Sequence, residues 1–338
     1  MLKKYTVLSL LLLFLCGCTS VYRMQIAAPD KLQKKDEENA LKISQIFGNK
    51  QETTLILSPE ELEFALQHRE YFTESVKMLG FSAVAVPFDS PASADIENER
   101  GKEIYDFVIY LHINSLKTFY FLRESFFMNR RQGSRFLWGR GNPYKDTLLN
   151  LKSFWRELPE SAEMPTVIIA LEVNRWNDRN TDRPSGLLFT WRKEKNKKGA
   201  SNDRMFIQSM QFFEQCRELL DLEQLILLAD EELVSAGADG GLTGGTVPEL
   251  LKKCDALCIN FAPQKNDSDI MQRLQLLKSA SDRGSVFVLV SPRKESFDRF
   301  TVNLKNWYSG AWKYNGCAGI WIENWNKLNK IWRERQSK

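Results

Sequence analysis

The sequence predicts an α/β chain whose eight parallel strands close into a (β/α)8 TIM barrel, preceded by a signal peptide and a charged tether. Three observations predict the barrel. Eight short apolar runs occur between Thr54 and Glu323, most of them continuous in Val, Ile, Leu and Phe, as strands covered on both faces are. Amphipathic segments of helical period separate them, and that alternation implies parallel β with right-handed crossovers. The first run ends Leu57-Ser58-Pro59-Glu60-Glu61, without a glycine. An open, doubly wound sheet would bring a glycine-rich phosphate turn at that point.

The chain opens Met1-Leu2-Lys3-Lys4, a positive start, and continues in an apolar run from Val7 to Leu15. That run falls short of the about 20 apolar residues that span a bilayer. A positive start followed by a short apolar run is the pattern of an export signal. It ends Leu15-Cys16-Gly17-Cys18, which resembles the lipobox of bacterial lipoproteins through Leu15, Gly17 and Cys18. The resemblance implies removal of residues 1–17, diacylation of Cys18 and anchoring to a membrane of the cell envelope. Thr19, not Asp, follows Cys18, and the same resemblance then favours the outer membrane where one exists, facing the periplasm or the surface. Residues 18–50 follow, with Lys31, Lys34, Lys35, Asp36, Glu37 and Glu38 clustered and no globular pattern. This stretch reads as a tether. The barrel domain is expected over 51–338.

The strands are expected at Thr54–Ser58, Ser82–Phe88, Lys117–Arg123, Thr166–Val173, Gln224–Asp230, Ala256–Ala262, Ser285–Ser291 and Ala318–Glu323. Helical periodicity covers Glu60–Leu79, Lys102–Leu116, Thr147–Leu158, Met205–Leu222, Val247–Cys254, Asp269–Ser281 and Phe297–Trp312 between them.

Composition excludes several classes. Of 338 residues, 43% are hydrophobic, enough for a full core. Lys and Arg number 47 against 43 Asp and Glu. Without Lys3 and Lys4 the balance is nearly neutral, which argues against a dedicated nucleic-acid binder. His68 and His112 are the two histidines. Both fall in helical patterns away from the cysteines, so no metal site and no cofactor is expected. Cys216, Cys254, Cys258 and Cys317 remain after anchoring. They read as buried thiols, although export would let a pair oxidise; the spacing does not say which.

Chemistry is expected where the strands end, because this barrel carries its sites on the C-terminal face. In the fourth run the bulky Val167, Ile169, Leu171 and Val173 would face the helices, leaving Glu172 and Asn174 near the mouth. In the eighth, Trp321, Glu323 and Trp325 would line it, and in the sixth Asn260. The small Ala229 suggests that Ala229 and Glu231 face inward on the fifth. Asp89 ends the second run and Arg123 the third. Carboxylates, asparagines, an arginine and tryptophans at one mouth suit sugars: paired carboxylates supply acid and base, and indoles offer flat apolar faces.

With these strand ends, the chain from Thr53 to Trp332 resembles the (β/α)8 glycoside hydrolases. The resemblance is one of architecture and strand-end carboxylates. Many retaining families place an Asn-Glu pair after strand four and a Glu after strand seven. Here the order is Glu172-Val173-Asn174, and the seventh run ends Ser291-Pro292-Arg293. It implies hydrolysis of a polysaccharide or envelope glycan, with Glu172 as acid/base, Glu231 its partner on the neighbouring strand, and Glu323 across the barrel. Asn174, Asn260, Trp321, Asp89 and Arg123 would bind substrate. The same scaffold also suits a non-catalytic glycan-binding or structural lipoprotein.

Overall fold

The computed structural model describes residues 43, 52–88, 91–122, 145–159, 165–171, 216–220, 222–230, 254–260, 285–292, 296, 299–302 and 318–336. All of them belong to one compact unit. Eight strands make the sheet: β1 (Glu52–Ile56), β2 (Ala83–Phe88), β3 (Lys117–Leu122), β4 (Thr166–Leu171), β5 (Gln224–Asp230), β6 (Ala256–Asn260), β7 (Ser285–Val290) and β8 (Gly319–Glu323). Each pairs in parallel with its sequence neighbour, and β8 pairs with β1, so the sheet closes. The chain is therefore a (β/α)8 barrel.

The register gives the barrel its shape. Stepping from Ile56 through Ala85, Phe119, Thr166 and Gln224, and on round the remaining pairings, returns to the line of β1 eight residues nearer the N-terminus. Eight strands with a shear of eight define this barrel type. That shear sorts interior side chains into layers drawn from alternate strands. The even strands supply Ala85, Ile168, Cys258 and Trp321. Above them the odd strands supply Ile56, Phe121, Leu228 and Leu289. Below lie Phe119, Ile226 and Phe287 with Thr54. The apolar residues of these layers form one buried cluster inside the barrel. Val84, Val86, Tyr120, Leu122, Val167, Ile169, Leu225, Leu227, Leu257, Ile259, Val286, Val288, Ile320 and Ile322 point the other way, into a second cluster under the helices. Both faces of every strand are thus covered, which explains the unbroken apolar runs.

Helix α1 (Pro59–Gln67) starts with a capping box: the Ser58 side chain accepts from the Glu61 amide, and Glu61 Oε2 accepts from the Ser58 amide at 2.9 Å. His68 then breaks the helical line, and α2 (Arg69–Met78) resumes it. The single helix expected over 60–79 is two. Helix α2 ends in a Schellman turn: the Gly80 amide donates to the Lys77 carbonyl and that of Phe81 to Val76, with Gly80 at φ 85°. Such a residue is left-handed, where glycine has no Cβ penalty. A 3-10 turn (Pro91–Ala94) leads to α3 (Glu99–Ile113), capped by Asn98. Next comes α4 (Lys145–Arg156), and α5 (Trp325–Gln336) follows the last strand. Sequence reading had no helix after the eighth strand.

Two expectations change here. Ile43, within the expected tether, is fully buried in the cluster under the helices and donates its amide to the Leu79 carbonyl at 2.8 Å. The folded unit therefore begins ahead of residue 51. Trp325, expected at the mouth, is the first residue of α5 and packs outside the barrel. Its ring lies 5.2 Å from Phe64 and 5.1 Å from Phe72. The chain turns at Asn324, which has φ 63°, and so the strand's alternation stops one residue before Trp325.

Candidate functional site

The mouth is built on an apolar floor. Trp321 is fully buried, its ring 5.1 Å from Phe287 and 6.0 Å from Phe119. Ile56, Phe121, Leu228 and Leu289 close the layer above it. Trp321 thus sits beneath the closing layer, where its faces are taken by other rings, rather than open to a ligand at the rim. Its Nε1–H is buried without an acceptor among the described residues.

Above the floor, polarity changes. The next even-strand layer contains Pro87, position 170, Asn260 and Glu323, by continuation of the same alternation. Asn260 and Glu323 end their strands half-buried while the residues before them are buried. One layer higher, the odd strands β5 and β7 bring position 230 and Ser291. Position 230 pairs in register with Asn260. Ser291 Oγ accepts a hydrogen bond from Asn324 Nδ2 at 2.6 Å, which ties the end of β7 to the turn after β8. On the arc from β5 to β8, register therefore gathers an Asp, an Asn, a Ser and a Glu over a water-excluding base.

On β5, Ile226 and Leu228 lie inside the barrel, and Leu225 and Leu227 lie under the helices. The inward reading of Ala229 and Glu231 falls on side chains outside those described. On β4, β6 and β8 the inward set is Ile168, Cys258 and Trp321, the parity read from sequence.

Of the remaining candidates, Glu172, Asn174, Glu231, Asp89 and Arg123 lie outside the described residues, as does Cys18. Glu172 directly follows β4, Asp89 follows β2 and Arg123 follows β3. The arginine-rich segment after the third strand and the glycine-rich segment near residue 240 lie outside as well. Among the described residues, no group of three His, Cys, Asp or Glu side chains could hold a metal ion, and no helix is long and apolar enough to cross a membrane. His68 stands at the α1–α2 junction, 4.8 Å from the Phe64 ring, and His112 is in the last turn of α3.

A second carboxylate at this end of the barrel has a structural position. Glu61 is buried; its Oε2 holds the Ser58 amide and its Oε1 accepts from the Asn326 amide at 2.9 Å. One side chain thereby satisfies exposed amides at the starts of both α1 and α5, joining the connections after the first and last strands. The Ser58–Glu61 spacing is that of a capping box, a local signal; the partner 265 residues away has no such signal.

No family model matches the chain, and no curated protein matches it. Solved structures do. A chitinase from Chromobacterium violaceum aligns at 12% identity over 71% of this chain and 68% of its own, with a TM-score of 0.42. A mutant of xylanase A from P fluorescens subsp. cellulosa, in complex with xylopentaose, aligns at 9% over 83% and 88%, with a TM-score of 0.48. Tryptophan synthase from M. tuberculosis aligns at 9% over 86% and 94%, with a TM-score of 0.41. With TM-scores below 0.5, none of these likenesses bears on what the chain does.

Proposed function

We propose that the chain is a lipid-anchored envelope protein whose barrel acts on a polysaccharide or envelope glycan through carboxylate general acid/base catalysis. The supporting observation is the change of character at the mouth. Three apolar layers plug the barrel, and Asn260 and Glu323 stand in the first polar layer above them, at the end where this fold carries its sites. A carboxyl group at this level can give or take a proton at the mouth, as general acid/base catalysis needs. A neighbouring asparagine offers both a donor and an acceptor to a sugar hydroxyl.

Glu323 is the described carboxylate best placed for this role, and Asp230 joins the candidates through its register beside Asn260. Glu172 and Glu231 remain proposed as acid/base and partner, Asn174, Asp89 and Arg123 as substrate contacts. Trp321 supports the floor on which substrate would rest. The lipid on Cys18 would hold the barrel at a membrane, where envelope glycans are within reach.

The experiment is reducing-sugar release from a panel of neutral and acidic polysaccharides by the detergent-solubilised full chain. Glu172→Gln, Asp230→Asn and Glu323→Gln variants run beside it. Loss of a general acid or base lowers the rate by about 100-fold or more. Activity that falls by that factor in at least one variant upholds the reading and picks the carboxylate. Activity untouched by all three overturns the assignment of residues. Glycan binding without turnover identifies the non-catalytic alternative.

A further inference from the structure

Three of the cysteines, Cys216, Cys254 and Cys258, are described, and each is buried. They do not occupy one space. Cys258 is inside the barrel, in the layer of Ala85, Ile168 and Trp321. Cys216 and Cys254 are on the other side of the sheet, in the cluster under the helices. Cys216 belongs to the helical residues 216–219 ahead of β5, and Cys254 stands just ahead of β6.

The residues that follow these two cysteines are bound to each other. Arg217 Nη2 lies 2.6 Å from Asp255 Oδ1. Asp255 is itself fixed to β5: its Oδ2 accepts from the Leu225 amide at 2.7 Å, and its own amide donates to the Leu225 carbonyl at 2.8 Å. The side chains of Arg217 and Asp255 thus tie the helical residues 216–219 to the residue ahead of β6, and Cys216 and Cys254 lie in the same buried cluster. The thiols are near enough that Cys254 helps raise the pKa of Cys216, after the larger effect of burial.

We propose that Cys216 and Cys254 form a disulfide when the chain folds in an oxidising compartment, leaving Cys258 reduced inside the barrel. The compartment rests on the reading that the chain is exported; the pairing rests on the shared buried cluster and the adjoining Arg217–Asp255 ion pair. The oxidant is a dithiol-derived disulfide, protein or small molecule. One cysteine thiolate attacks it, forming a mixed disulfide and releasing one thiol. The second cysteine then attacks the mixed disulfide at the first cysteine's sulfur, and the second thiol leaves. The two cysteines lose two protons and two electrons; the oxidant gains the electrons and becomes two thiols.

Burial sets the timing. It pushes the Cys254 thiol up to about 12 and that of Cys216 higher still. Thiolate, not thiol, is the attacking species, so the bond forms before the helices close over β5 and β6, and once made it resists reduction. It would join residues 38 apart in sequence.

Two measurements test this on the full chain. In the first, protein from the cell envelope is denatured without reductant, alkylated with N-ethylmaleimide and mapped by mass spectrometry. The expected result is one cross-linked species containing Cys216 and Cys254, with Cys258 alkylated. In the second, purified chain is reduced, unfolded and refolded in a glutathione redox buffer, where export plays no part. The same linkage is expected, with a melting temperature that reductant lowers by about 5–10 °C. Alkylation of both Cys216 and Cys254 after refolding overturns the pairing, as does a bond from either to Cys258 or Cys317. Linkage in the buffer with free thiols in cells upholds the pairing and locates the failure in the reading of export. A glycan assay on the reduced chain keeps the catalytic reading separate from both.

Discussion

Inside the barrel, Trp321 meets Phe119 and Phe287 across ring faces while its Nε1–H is buried without an acceptor among the described residues. Removing the indole would leave a large cavity in a closed layer, so Trp321→Ala should cost about 3–5 kcal/mol, read from urea unfolding. Trp321→Phe should cost much less, since it also deletes the orphan donor. Beside it, Gly319 is required by space: a Cβ there would lie 2.7 Å from the Glu52 carbonyl oxygen and 3.0 Å from the Phe287 ring. Gly319→Ala should destabilise by about 1–3 kcal/mol. Burial also sets an alkaline limit. The thiol of Cys254 ionises at 9.0 when exposed and near 12 in the fold, and Cys216 and Tyr120 move in the same direction for the same reason. Above pH 9 the unfolded chain gives up protons that the native chain keeps, so stability falls as pH rises. In reductant, urea midpoints should drop between pH 8 and 11 more steeply than in the disulfide form, where Cys216 and Cys254 no longer titrate and Tyr120 still contributes.

Among the elements, helix ends carry separable contributions. The turn after α3 is a Schellman turn like that after α2: the Ser115 amide donates to the His112 carbonyl and that of Leu116 to Leu111. Its left-handed position holds Ser115 at φ 60° where α2 has Gly80. A side chain there costs about 1–2 kcal/mol, part of which Ser115→Gly should recover as a higher denaturation midpoint. At the other end of the barrel, Glu61 serves two helices at once. Glu61→Ala would strand the Ser58 and Asn326 amides, each a loss of about 1 kcal/mol or more. The variant should loosen α1 and α5 together, visible as faster amide exchange at both helix starts.

For the whole molecule, closure decides what a site can be. A shear of eight over eight strands forces the layers to alternate between odd and even strands, so candidates on β6 and β8 share a level while β5 and β7 contribute one level up. That arrangement, not distance along the chain, brings Asn260 to Glu323's layer and Asp230 above it. It also divides the cysteines, since the sheet stands between Cys258 and the pair at 216 and 254.

The apolar runs and helical periods determined by themselves that the strands are parallel, number eight and are buried on both faces. The face of each strand was legible only where a neighbour differed in kind. Glu323 beside Ile322 marked its face, whereas β5 is apolar on both faces from Leu225 to Leu228. Trp325 could not be assigned because a left-handed residue at Asn324 takes it out of the strand, and a backbone turn of that kind depends on what the helix packs against. Tertiary structure alone decided the layer of each strand end and the reach of Glu61 to Asn326. Each depends on register carried round a closed sheet, and register is a relation between distant segments that no local stretch of sequence contains.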